Sequence, residues 1–204
     1  MTIRFHHGDL PDLAAYRDIV AIDTETLGLV PHRDRLCVVQ LSPGDGSADI
    51  VQIPKAGSDA PNLRRLLSDP SVIKLFHFAR FDIAVLFNAL GAMPSPVYCT
   101  KIASRLVRTY TDRHGLKDLV RELLGHDMSK QQQSSDWGAE TLSEAQLAYA
   151  AADVLHLHEL KSRLDAMLAR EGRTALAQAC FDFLPARARL DLAGWQDTDI
   201  FAHS

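Results

Sequence analysis

Apolar and polar positions follow two rhythms along this chain, and the change between them falls near residue 100. Residues 19–25 (IVAIDTE) and 35–42 (RLCVVQLS) are rich in Val, Ile and Leu and read as strands, and a Gly/Asp turn leads to a third near 48–53. These three form a predicted meander. PNLRRLLSD (61–69) is a short helix with Leu63, Leu66 and Leu67 on one face, followed by strand-like SVIKLFHF (71–78). RFDIAVLFNALG (80–91) reads as a helix stopped by glycine, and PVYCT (96–100) as a last strand. Beyond it the pattern is helical. KIASRLVRTY and LKDLVRELLG are two helices, SKQQQSSDWG (129–138) is a polar loop, and a long helix with room for a break runs from about Ser143 to Glu171. A final helix begins near Arg173, and Pro185 is expected to interrupt it. Strands first, then alternation, then helices predict an α/β sheet layered with helices.

Composition narrows the picture. With 47% hydrophobic residues in 204, the chain can bury one substantial core. Its apolar stretches are short and broken by charge, so no membrane span is expected. The start, MTIRFHHGDL, lacks the apolar region of a secretory signal. Cys37, Cys99 and Cys180 share no C-x-x-C spacing and are expected to be reduced, which fits a cytoplasmic protein. The net charge is -4, from 22 Lys+Arg against 26 Asp+Glu. Proteins that track long nucleic acids are usually basic, so any nucleic-acid substrate should be short, or the basic residues clustered. Lys101, Arg105 and Arg108 recur at helical spacing, and with Arg113 and Lys117 make the strongest local positive patch. It reads either as a phosphate-facing surface or as a solvated helix face or subunit contact. His156 and His158 are two apart on a helix and cannot share one zinc.

The candidate chemistry lies in acids. Asp23 and Glu25 are two apart on a strand, so both leave the same face. Adjacent carboxylates repel, and a divalent cation between them relieves the repulsion; oxygen-only ligands suit Mg²⁺ or Mn²⁺. The alternative is a pair of solvent-facing acids at a strand end. Asp82 follows an apolar strand at a helix start, where the dipole alone favours an acid. Tyr149 and Asp153 share a helix face at i,i+4, and the alanines of AQLAYAAA let that helix approach a sheet closely.

The ordered set of D-x-E on the first strand, a lone Asp at a helix start and Y-x-x-x-D on a late helix resembles the DEDD superfamily of 3′→5′ exonucleases, in the subgroup with tyrosine in the last motif. HGLKDLV, SKQQQSSDW and LAYAAADVLHLHEL resemble the ribonuclease D branch. DTETLGL, PHRDRLCVVQLS, RTYTDRHGLK and the ending DIFAHS resemble the short nano-RNase C family. The resemblance implies an RNase H-like (DnaQ-like) fold with a central mixed sheet, and a single exonuclease domain over 1–204 whose segment 190–204 is a tail used in oligomer contacts. It implies hydrolysis of RNA dinucleotides to nucleoside 5′-monophosphates by a closed octameric ring, with broader cleavage of longer RNA or DNA as the alternative. Two divalent cations, Mg²⁺ or Mn²⁺, are implied, with Asp23 bridging them, Glu25 and Asp153 completing one site, and Asp82 serving the other. Tyr149 is implied to orient the attacking water. Thr24 separates the two strand acids. Candidate substrate contacts are Thr24, Leu27 (a base wedge, or else a core leucine), His77 and Phe81 beside Asp82, and His114, Lys130, Gln133 and Trp137 on the polar stretches.

Overall fold

Residues Ile19–Thr26 form β2, the strand on which the two acids lie, and the rest of the fold is arranged around it. The computed structural model of the chain describes residues 2–129 and 131–203. Six strands make one mixed sheet: β1 (Thr2–His7), β2, β3 (Leu36–Ser42), β4 (Ser47–Gln52), β5 (Ile73–Phe76) and β6 (Val97–Cys99), in the spatial order β1-β4-β3-β2-β5-β6. β3 runs antiparallel to both of its neighbours, and the remaining pairs are parallel. The predicted meander is β2, β3 and β4. Every residue of β3 and β4 is buried, as expected for strands covered on both faces.

Seven α-helices accompany the sheet among the described residues: α1 (Pro61–Ser68), α2 (Ala79–Leu90), α3 (Thr100–Val107), α4 (Leu116–Leu119), α5 (Glu144–Leu155), α6 (Leu157–Arg170) and α7 (Thr174–Leu190). α1 buries Leu63, Leu66 and Leu67, the face its spacing predicts. α2 stops at Gly91, whose φ of 68° a residue with a Cβ adopts at a cost. α5 starts from a capping box: the Gln146 amide donates to Ser143 Oγ at 3.2 Å, and the Ser143 amide donates to Gln146 Oε1 at 2.9 Å. The long predicted helix is broken at His156. No helix among the described residues is long and apolar enough to cross a membrane.

One sequence expectation needs correction, and one strand is an addition to those expected. Pro185 does not interrupt the last helix; α7 runs through it. A proline inside a helix costs about 3 kcal/mol. The stripe Ala177, Phe181, Leu184 and Ala188 stays buried on both sides of it, and burial of Phe181 and Leu184 contributes about 1.5–3 kcal/mol each. The packing wins. The added strand is β1, an edge strand with mixed exposure. A polar cluster holds it. Arg4 reaches both oxygens of Asp49 at 2.7 Å, His6 Nε2 lies 2.8 Å from Asp49 Oδ1, and the Tyr16 hydroxyl donates to Oδ2 at 2.5 Å. Burial alone would raise the Asp49 pKa, but these hydrogen bonds bring it down to about 2.

Asp49→Asn should therefore cost about 2 kcal/mol or more of stability at pH 7, because charge-assisted bonds are lost and Arg4 is left without its partner. A carboxylate with a depressed folded pKa stabilises above its unfolded pKa near 4 and ceases to do so as pH falls to about 2. Urea melts at pH 7 and in that acid window should show the difference between parent and variant shrinking on acidification. Equal stability at pH 7 would refute this account of β1.

Candidate active site

The pairing of β2 with β5 covers only Ile19–Ala21 against Ile73–Leu75, whereas its pairing with β3 continues to Thr26. Past Ala21, β2 leaves its parallel neighbour and opens a crevice at the carboxyl end of the sheet, where open α/β folds bind ligands. Alternation along β2 sends Asp23 and Glu25 to one face and Thr24 to the other. α5 packs over the first face and carries Tyr149 and Asp153. Carboxylate oxygens of Asp23, Glu25 and Asp153 all lie within 4.8 Å of one another. α2 approaches the other face, and its first-turn Asp82 is 3% exposed. Thr24 Oγ1 donates to Asp82 Oδ1 at 2.7 Å, so the residue between the two strand acids also fixes the third.

The four acids line a cleft of about 320 Å³ together with Thr24, His77, Phe78, Phe81, Lys101, Lys117, Gln133 and Tyr149. None of the ion pairs among the described residues involves them. Burial, and then the charges of Asp82, Asp153 and Glu25, hold the Asp23 pKa well above the carboxylate range. Burial, followed by Asp153 and Asp82, pushes Glu25 up to about 9. Burial raises Asp82 to about 7 against the pull of the Thr24 hydroxyl, and raises Asp153 to about 7 against that of Tyr149. Four acids cannot all ionise here without added positive charge. The donor set is all oxygen, which fits hard divalent cations. Burial and then the charges of Asp153, Glu25 and Asp23 also push the Tyr149 phenol up, so it is no base while the carboxylates stay unneutralised.

The other predicted contacts separate. His77, Phe81, Gln133 and Thr24 reach the cleft. His77 Nδ1 lies 2.9 Å from Thr100 Oγ1, and burial and Lys101 lower its pKa to about 3, so the ring is neutral. Leu27 is not a core leucine; it is 56% exposed, beside Gly138. His114 does not line the cleft; its Nδ1 lies 2.8 Å from Ser104 Oγ, although Gly115, Leu116 and Lys117 after it do. Trp137 is a correction. At 3% exposure it is core and packs against Tyr149 with ring centroids 6.0 Å apart, because a large aromatic in a polar loop gains most by burying itself. Lys130 lies outside the described residues. The basic helix face also needs correction. α3 ends at Val107, and Arg108 turns inward, fully buried, to pair with Glu122 and donate to Ser104 Oγ at 3.0 Å. Lys101 turns to the cleft instead, its Nζ 4.3 Å from the Phe78 ring centroid. Phe78, half exposed at the start of α2, escaped the sequence reading, since a Phe ending an apolar strand resembles core. Gln40 escaped it too: its Nε2 donates to Asp23 Oδ2 at 3.2 Å from within an apolar strand.

A mixed sheet with a D-x-E strand, an acid at the start of α2 and Y-x-x-x-D on α5 defines an RNase H-like exonuclease of the DEDD class, with tyrosine in the last motif. The chain belongs to the 3′-5′ exonuclease family, whose sequence pattern matches residues 10–169. It is 40% identical over 154 residues to ribonuclease D of Gluconacetobacter diazotrophicus, covering 76% of this chain and 39% of that protein. The chain thus spans about two fifths of the length of the curated relatives it matches. In structure it is similar to Brucella melitensis NrnC with bound Mg²⁺, at a TM-score of 0.97 and 64% identity over 100% of both chains. NrnC bound to pGG gives 0.97 and 65%, again over 100% of both. Escherichia coli RNase D gives 0.76 at 27% identity, covering 85% of this chain and 45% of that one.

Proposed function

We propose that this chain is a metal-dependent 3′→5′ exoribonuclease that hydrolyses short RNA, foremost dinucleotides, to nucleoside 5′-monophosphates. The convergence of Asp23, Glu25 and Asp153 at the open end of β2 carries the reading. These three would hold one divalent cation, and Asp82 would serve a second. Such cations supply positive charge against the charge that develops on the phosphate oxygens, and they ease ionisation of the attacking water. Water adds at phosphorus, the bond to the 3′ oxygen of the neighbouring sugar breaks, and that oxygen takes a proton. The released nucleotide keeps a 5′-phosphate. The Tyr149 hydroxyl would orient the water, its ring backed by Trp137. Neutral His77 would contribute to the wall on which a sugar or base rests. Phe78 and Phe81 offer rings for base stacking, Lys101 and Lys117 offer charge to phosphate, and Gln133 offers an amide to a base edge. Exposed Leu27 suits a wedge between two bases.

The dinucleotide preference is supported by the pGG bound to NrnC, which this chain matches over its full length. A homo-oligomer, the octamer that the family resemblance implies, accords with a tail that exposes Trp195, Ile200 and Phe201. Likeness to ribonuclease D favours a second reading, cleavage of longer RNA or DNA. A length series separates the two. With Mn²⁺ and 5′-labelled RNA from dinucleotide to heptanucleotide, kcat/KM should fall steeply beyond the dinucleotide. Comparable rates at every length, or processive shortening of a long strand, would support the second reading and remove the first.

A further inference from the structure

Gln40 is a polar side chain where the sheet gives no reason for one. All seven residues of β3 are buried, and Gln40 has no exposed surface. Its strand is paired on both sides, with Asp23 opposite it on β2 and Ile50 opposite it on β4, so the side chain cannot swing out to water. Nε2 donates to Asp23 Oδ2 at 3.2 Å, while the buried Oε1 has no partner among the described residues. A half-satisfied buried amide is a poor choice for stability, since an apolar residue of similar shape would avoid the desolvation of the orphaned oxygen. It does serve Asp23. The charged neighbours of Asp23 are Asp82, Asp153 and Glu25, all of which repel it. Gln40 is the one side-chain donor to Asp23 among the described residues, and it is neutral. It ties down one carboxylate oxygen of an acid that clusters with Glu25 and Asp153.

We infer that Gln40 is a positioning residue that fixes the Asp23 carboxylate for cation binding. The inference rests on the reading of Asp23 as a metal ligand. Groups that hydrogen-bond a ligating side chain typically change metal affinity by about tenfold to a hundredfold when removed.

Gln40→Met and Gln40→Leu keep an apolar volume and remove the donor. Mn²⁺ alone is titrated calorimetrically into metal-free parent and variants, and melting is recorded in chelator. The expected result is a metal-free variant at least as stable as the parent, with Mn²⁺ affinity weakened by about tenfold or more. Parent-like Mn²⁺ affinity in a folded variant overturns the inference. Failure of both variants to fold also overturns it, by making Gln40 structural. Asp23→Asn, titrated in parallel, separates the two levels. If Asp23→Asn loses Mn²⁺ binding while Gln40→Met keeps it, only the role of Gln40 fails. If Asp23→Asn binds Mn²⁺ like the parent, the metal reading itself fails.

Discussion

Asp153→Asn is expected to abolish divalent-cation-dependent hydrolysis while leaving the metal-free protein as stable as the parent, or more so. The two effects have one cause. Asp153 sits within 4.8 Å of the Asp23 and Glu25 oxygens, and its pKa is raised to about 7 by burial. Each charge there is a cost to the fold. An asparagine keeps the shape and removes one repelling acid, so the metal-free melting temperature should hold or rise. The same change takes a charged oxygen from the donor set and weakens the field that holds the cations. Loss of a single electrostatic group in a preorganised site commonly lowers kcat by about a hundredfold to a thousandfold; the loss of a proposed cation ligand should reach at least the upper end. A structural acid would move both quantities downward together, whereas a functional one moves them apart. Thermal melting in chelator and turnover of a dinucleotide in Mn²⁺ test this directly. Hydrolysis within tenfold of the parent would mean that Asp153 lies outside the reaction.

The site was legible in sequence where local periodicity decides it. Asp23 and Glu25 share a face because strands alternate, and Tyr149 and Asp153 share one because helices repeat near four. Asp82 was legible as an acid after an apolar strand. What stayed hidden depends on partners far along the chain. β1 is held by Arg4, His6 and Tyr16 on Asp49, a cluster that no local pattern encodes. Arg108 continues the helical spacing of Lys101 and Arg105, yet α3 ends one residue before it, and Glu122 draws it inward. Trp137 looked like a substrate contact because its neighbours are polar, while the surface that buries it belongs to the core around Tyr149. Gln40 was a single polar letter in a strand otherwise read as packing. Only the register across β2 and β3 shows what it faces. Pro185 shows the converse: a strong local signal overruled by burial on both sides of it.

Removing divalent cations should make the protein's stability fall as pH rises, and Mn²⁺ should restore it. Glu25, Asp82 and Asp153 are raised to about 9, 7 and 7, against unfolded carboxylate values near 4. Between these limits the folded state holds protons that the unfolded chain has released. Stability then declines with rising pH, because the unfolded state binds fewer protons than the folded one. Below about pH 4 both states are protonated and the cluster costs little. Cation binding replaces those protons, so its affinity and its stabilising effect both grow with pH. At a thousandfold excess over Kd the gain is about 4 kcal/mol. At about 2–4 °C per kcal/mol for a chain of this size, the melting temperature in Mn²⁺ should exceed that in chelator by on the order of 10 °C at pH 8. The difference should shrink toward zero near about pH 5, as the carboxylates regain their protons. Asp49 has the opposite sign and acts in a separate window, its stabilisation fading only as pH falls from about 4 to about 2. Paired melts across this range, with Asp153→Asn as a control that should flatten the chelator curve, are decisive. A Mn²⁺-induced shift of equal size at pH 5 and pH 8 would show that the cation binds somewhere other than this acid cluster.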